Sequence, residues 1–197
     1  MKHYFIKTGI ILIGFMAMTS CASTKTTASI SSEDQQVLET TGKRIGKDKH
    51  KMPTYTDDAR TRYLRATAYS HMEKEPGAPG RKNAEGTILK YGSTRSAAAD
   101  WSRLPLGTKF KVVGQPAITY VVDDYGSALA GTNTIDFFYP TLRAMKNWGT
   151  RNVTIQIIQM GCFERSAKLL SGRKHAAHCR KMYYAIKKKP SESLVSN

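Results

Sequence analysis

Through the middle of the chain, apolar and β-branched residues come in short runs separated by Gly- and Pro-marked turns. Residues 66–69, 87–91, 110–113, 118–122 and 153–158 fit this pattern, which predicts short β-strands. Elsewhere the period lengthens. Over 140–148 Leu142, Met145 and Trp148 fall on one face behind a proline, which predicts a helix with Pro140 in its first turn. Residues 94–99 read as a second short helix. Residues 163–189 set Leu169, Leu170, Ala176, Ala177, Met182 and Tyr183 among nine Lys and Arg residues. This predicts a basic amphipathic helical segment that Gly172 interrupts. No internal repeat is present. The pattern is that of a mainly β domain with one or two short helices and a basic helical segment behind it.

The N-terminus has a different pattern. Lys2 and Lys7 precede an apolar run over 9–18. A membrane-spanning helix needs about 20 apolar residues, so this run suits a secretory signal instead. It ends Met18-Thr19-Ser20-Cys21, which resembles a bacterial lipoprotein box and implies that Cys21 becomes the lipidated first residue of the mature protein. With Ala22 and Ser23 behind it, such a lipoprotein in a Gram-negative cell is sorted to the outer membrane, facing the periplasm. A plain signal peptide cleaved nearby is the alternative. The polar stretch that follows has too few large apolar side chains to repay the entropy of ordering. The organisation expected is a signal over 1–20, a tether over 21–60 that is polar and then basic, a domain over 61–161, a basic helical extension over 162–189 and a disordered tail over 190–197.

Composition narrows the classes. The chain has 197 residues, 40% of them hydrophobic, which allows a real core and excludes wholesale disorder. A single apolar run excludes a polytopic membrane protein, and the size argues against a large cofactor-binding fold. The net charge is +16, concentrated in 41–65 and 162–197 rather than in the domain. Basic arms favour polyanions. For an exported protein these are peptidoglycan carboxylates or anionic lipid rather than nucleic acid, and solvated surface is the alternative reading of much of the charge. Export also bears on the cysteines. Cys162 and Cys179 remain once Cys21 is used, and a structural disulfide between them would contribute about 3 kcal/mol. No CxxC pair, zinc spacing or phosphate-cradling glycine loop occurs, so no metal and no cofactor is expected. Oligomeric state is not legible.

Four acidic residues stand in unusual contexts. Asp100 lies between Ala97-Ala98-Ala99 and Trp101. Asp123 and Asp124 close the run 118–122, and Asp136 sits between Ile135 and Phe137-Phe138-Tyr139. In a pocket of low polarity the ionised form is disfavoured and the carboxyl pKa rises, which makes a general acid near neutral pH. An ion pair, or a place on an exposed strand face, is the alternative for each.

The stretch 65–159 resembles the 3D domain, a small double-psi β-barrel named for three aspartates. ATAYS at 66–70 is similar to its opening strand. AADWSRLPLGT at 98–108 carries Asp100, VVDDYGSALAG at 122–131 carries Asp124, and TIDFF at 134–138 carries Asp136. LRAMKNWGTRNVTIQII at 142–158 is similar to the closing helix, turn and last strand. One departure stands out: Tyr125-Gly126-Ser127 replaces a favoured Thr-Gly-Gly, a change that alters the turn if Ser127 must adopt positive φ.

The resemblance implies a six-stranded double-psi barrel and peptidoglycan as substrate. The same barrel forms the catalytic half of membrane-bound lytic transglycosylase A, whose acid/base aspartate corresponds to Asp136. It also occurs in expansins, whose Thr and Tyr facing an Asp are similar to Thr67, Tyr69 and Asp136. The implied reaction is cleavage of the bond between N-acetylmuramic acid and N-acetylglucosamine with a 1,6-anhydro product. Asp124 and Asp100 are the supporting or alternative catalytic carboxylates, and an inverting hydrolase using one of them stays open. Trp101 and Tyr125 are candidates for stacking on sugar rings. The transglycosylase's second domain has no counterpart here. A noncatalytic, expansin-like peptidoglycan-binding lipoprotein is therefore the alternative, and a structural partner of other envelope proteins a third.

Overall fold

The structure, a computed structural model, describes residues 42–73 and 80–190. The expected signal peptide, lipidation at Cys21, the polar part of the tether and the tail beyond 190 lie outside these residues.

Two strands, β1 (Arg44–Lys47) and β2 (Pro53–Tyr55), pair as an antiparallel hairpin. Six more close into a barrel: β3 (Thr61–Tyr69), β4 (Thr94–Ala99), β5 (Lys109–Val112), β6 (Thr119–Asp124), β7 (Thr134–Phe138) and β8 (Arg151–Gln159). Their order around the barrel is β3-β7-β4-β6-β5-β8. Two pairs, β3 with β7 and β4 with β6, are parallel, and the other four are antiparallel. The expected mainly β, six-stranded barrel is what forms, consistent with double-psi topology.

Alternation fills the interior. Leu64 and Ala66 of β3 and Val153, Ile155 and Ile157 of β8 point inward, while Tyr63 and Ile158 face out. Inside, Phe110 stacks on Tyr120 at 5.4 Å and Phe137 packs 4.5 Å from the same ring. Helix α1 (Leu142–Trp148) adds Trp148 edge-on to Phe137. Thr141 caps that helix through Oγ1, which accepts the Ala144 N–H, and Gly149 ends it at φ 62°. Pro140 thus precedes the cap instead of occupying the first turn.

Three expectations are corrected. Residues 94–99 form strand β4, not a helix. The run Ala97-Ala98-Ala99 has high helix propensity, but both of its edges are hydrogen-bonded, to β6 and to β7, and its side chains are all buried. Residues 87–91 are not a barrel strand. The closed barrel leaves no edge for them, and they make only isolated bridges, Lys82 to Ile88 and Tyr91 to Arg95. The basic half of the expected tether is ordered through β1 and β2. Asp48 organises their turn by accepting the His50 and Met52 N–H groups, and it also accepts the Asn133 N–H ahead of β7.

The C-terminal segment forms α2 (Phe163–Ser171) and α3 (Ala177–Lys187), interrupted after Gly172 as the sequence predicts. Their apolar faces do not stay free. Phe163, Ala167, Leu170, Cys179, Met182 and Ile186 join the same core as Trp101, Leu104 and Leu106. The helices are therefore part of the domain's base. The expected disulfide is not formed: Cys162 and Cys179 are both free. Cys162 spends its sulfur capping α2, accepting the Arg165 N–H, while Cys179 is turned into the core from α3. No helix among the described residues is long and apolar enough to cross a membrane.

Met182 is fully buried and its sulfur accepts the Trp101 backbone N–H at 3.4 Å. Met182→Ala is expected to cost about 2–5 kcal/mol by opening a cavity beneath Trp101. Urea unfolding should show a lower midpoint with an unchanged slope.

Candidate functional site

The barrel brings two carboxylates to either side of one alanine. Ala98 of β4 pairs with Asp136 of β7 on one edge and with Asp124 of β6 on the other. Two strand spacings separate the aspartate backbones, roughly 9–10 Å. The register shifts between Ala97 and Ala98, where Ala97 pairs with Val122 and Ala98 with Asp124, so Asp123 is the extra residue of a bulge. On the far side of β7, Thr67 of β3 pairs with Asp136. Parallel pairing of β3 with β7 is what places residues 69 apart in sequence side by side.

Asp124 and Asp136 line a cleft of about 740 Å³ whose floor includes Ala98 and whose walls include Tyr69 and Tyr125. Thr67 Oγ1 donates to Asp136 Oδ1 at 2.7 Å, and the Tyr69 phenol donates to Asp124 Oδ2 at 3.1 Å. Burial pushes the Asp136 carboxyl up to about 6, against the pull of the Thr67 hydroxyl, with Glu73 adding to the rise and Arg65 opposing it. Burial pushes Asp124 up to about 6 as well, against hydrogen bonds from the Tyr125 N–H and the Tyr69 phenol. Burial, and then the charge of Asp124, raises the Tyr69 phenol well above its ordinary value, so it stays a donor. The cleft thus holds two carboxyl groups that change protonation near pH 6, each fixed by a hydroxyl.

Residues 95–159 match the family model of the 3D domain.

The 3D-domain match runs from β4 to β8 and contains Ala98, Asp124 and Asp136. Thr67 and Tyr69, and everything from α2 onward, lie outside it. The cell wall-binding protein YocH of Bacillus subtilis (strain 168) is 30% identical over 95 residues, covering 48% of this chain and 32% of that protein. The chain therefore spans about a third of that relative's length.

Asp124 and Asp136 meet at the cleft together with Tyr69, and Thr67 reaches it only through its hydrogen bond to Asp136. Asp100 does not line it, which corrects its candidacy as a catalytic carboxylate. It is buried, accepts the Ser102 N–H and hydroxyl and the Gly131 N–H, and lies 3.8 Å from Arg103. It ties the loop after β6 to the turn after β4. Asp123 is buried too, paired with Lys90 at 2.7 Å and accepting the Ser96 hydroxyl at 2.8 Å. Positive φ in the loop after β6 falls on Gly131, at 82°, and not on Ser127. The substitution of serine for the favoured glycine therefore costs no backbone strain.

Trp101 is also corrected. It is wholly buried, its Nε1–H donates to the Asp124 carbonyl at 2.9 Å, and its ring stands edge-on to Tyr125 at 4.9 Å. It cannot stack on a sugar; it braces the backbone of Asp124. Tyr125 is half-buried and does face the cleft. Sequence reasoning missed Arg173 and His178, which line the cleft from the turn before α3 and from its first turn. Both lie past the family pattern, and the only signal for them was the basic character of 163–189.

Proposed function

We propose that this chain cleaves peptidoglycan at the bond between N-acetylmuramic acid and N-acetylglucosamine, with Asp136 as general acid and then base. The observation that supports this most is the desolvated Asp136 carboxyl, held by Thr67 at the mouth of a cleft shared with Asp124 and Tyr69. The 3D-domain match and the cell wall-binding relative supply the substrate class.

Protonated Asp136 donates its proton to the glycosidic oxygen as the bond from muramyl C1 to that oxygen breaks. The muramyl C6 hydroxyl then attacks C1, and its proton passes to the Asp136 carboxylate. The products are a 1,6-anhydromuramyl end and a free N-acetylglucosamine 4-hydroxyl, and Asp136 is again protonated. Asp124 sits across Ala98, where its charge stabilises positive character at C1. In this reading the protein is exported and anchored to the envelope through a lipid on Cys21, facing peptidoglycan.

Incubating residues 22–197 with purified peptidoglycan and analysing the products by mass spectrometry tests the reading. Anhydro-muropeptides support it, whereas reducing muramyl ends indicate a hydrolase that uses Asp124 to activate water. A second reading, noncatalytic wall binding, is favoured by the name of the relative. It predicts co-sedimentation with peptidoglycan and no product of either kind.

Because the acid step needs protonated Asp136, and burial sets its pKa at about 6, kcat/KM should fall as pH rises above about 6. Thr67→Val removes the donor that favours ionisation, so the same limb should move to higher pH. A pH profile of both proteins checks the sign.

A further inference from the structure

Asp124 and Asp136 are absorbed by the reaction above and the cleft's third carboxylate, Glu73, accepts the Ser70 N–H, but the basic residues along the same cleft are not used. Arg173 is half-buried between α2 and α3. Its Nη1–H donates to the Tyr125 hydroxyl at 3.2 Å and its Nη2–H to the Ala84 carbonyl at 2.8 Å. A guanidinium carries five N–H donors. The two hydrogen bonds recorded for Arg173 go to neutral acceptors, and no described carboxylate lies within ion-pair distance of it.

Two further features share this polarity. Lys82 lines the same cleft and likewise has no described acidic partner at ion-pair distance. Helix α3 begins with no side-chain cap and no acidic residue in its first turn, and its His178 lines the cleft. Burial lowers the His178 pKa, so at neutral pH its ring is an uncharged hydrogen-bonding group rather than a third cation. A cation held in a cleft by neutral tethers, with its remaining donors unspent, suits an anionic substituent on the substrate. A neutral glycan offers it only hydroxyl and amide oxygens, which form weaker hydrogen bonds than a carboxylate does.

We infer that Arg173, assisted by Lys82, binds a carboxylate carried on the muramyl residue, so that the cleft selects carboxylated over neutral glycan. The inference rests on the peptidoglycan reading and deepens it. The carboxylate has two sources, the free lactyl group of a glycan stripped of peptide, or a carboxylate of an attached peptide stem.

The test measures affinity for three ligands with the chain carrying Asp136→Asn to prevent turnover. These are neutral chitooligosaccharides, stripped glycan oligomers with free lactyl groups, and oligomers bearing peptide stems. Arg173→Gln on that background is expected to weaken the carboxylated ligands about tenfold or more and to leave chitooligosaccharide affinity within about twofold. Arg173→Lys, which keeps the charge, should recover most of the loss. Added salt should weaken the carboxylated ligands selectively. Whichever carboxylated ligand loses affinity identifies the source. An equal loss for neutral and carboxylated ligands would assign Arg173 to holding Tyr125 and Ala84 in place and overturn the inference. So would no loss at all, or an initial preference for neutral glycan. If the wild type cleaves no glycan and the Asp136→Asn chain binds none, the peptidoglycan reading fails and this inference with it. Cleavage without carboxylate preference removes this inference alone.

Discussion

Asp136→Asn is expected to reduce release of anhydro-muropeptides by roughly 10²–10⁴-fold, the range removed with a general acid/base, while leaving co-sedimentation with peptidoglycan intact. The amide is nearly isosteric, can still accept the hydrogen bond from Thr67, and cannot deliver a proton. The substitution should also change stability in a direction opposite to an ordinary loss of contact. A carboxyl whose folded pKa is about 6, against 3.8 for the free group, binds protons more tightly in the folded state. Its ionisation therefore removes stability as pH rises from about 4 to about 6, and the deficit persists above that window. Replacing it with a neutral amide relieves the deficit, by at most on the order of 3 kcal/mol. Thermal melts at pH 7.5 should show Asp136→Asn more stable than wild type, with the gain shrinking at pH 4. Loss of activity with lower stability at pH 7.5 would point to a structural aspartate. Retained activity would remove Asp136 from the mechanism.

How much of this was legible beforehand differs between the parts of the site. Short apolar and β-branched runs between Gly- and Pro-marked turns identify β5, β6 and β8 nearly to their ends, because each lines the barrel interior. It failed at β4, where an alanine run carries helix propensity but lies buried between two partners, a fact fixed by residues far away in sequence. The aspartates of the site stood out by apolar context. Context could not separate Asp123 from Asp124, since the bulge that sends one to Lys90 and the other to the cleft depends on pairing with β4. Trp101 was misread for a related reason: a tryptophan beside an acidic residue has the same local signature whether it braces the backbone or faces a ligand. Arg173 was invisible as a cleft residue because only the packing of α2 and α3 on the base of the barrel carries it there.

Ala98→Leu is the second large effect. Ala98 is only 4% exposed, yet its methyl group is part of the cleft floor, with Asp124 and Asp136 paired to it from either side. A leucine has nowhere to go but upward into the open space of the cleft, or sideways against the two carboxylates. Even a shift of about 1 Å in a reacting group costs on the order of 100-fold in rate, so cleavage should fall by at least that much. Overpacking adds a stability penalty of about 1–3 kcal/mol, small enough for the variant to be tested folded. Ala98→Ser changes the volume little and should keep most activity. Unlike Asp136→Asn, the leucine variant should lose peptidoglycan binding together with cleavage, because it removes room instead of a proton. The pair of variants thus separates the space of the cleft from its chemistry. If the protein is a binder without catalysis, Ala98→Leu still releases it from the wall, whereas Asp136→Asn leaves it there. Should Ala98→Leu bind and cleave as wild type does, the substrate lies elsewhere on the barrel and the two raised carboxyls serve the fold alone.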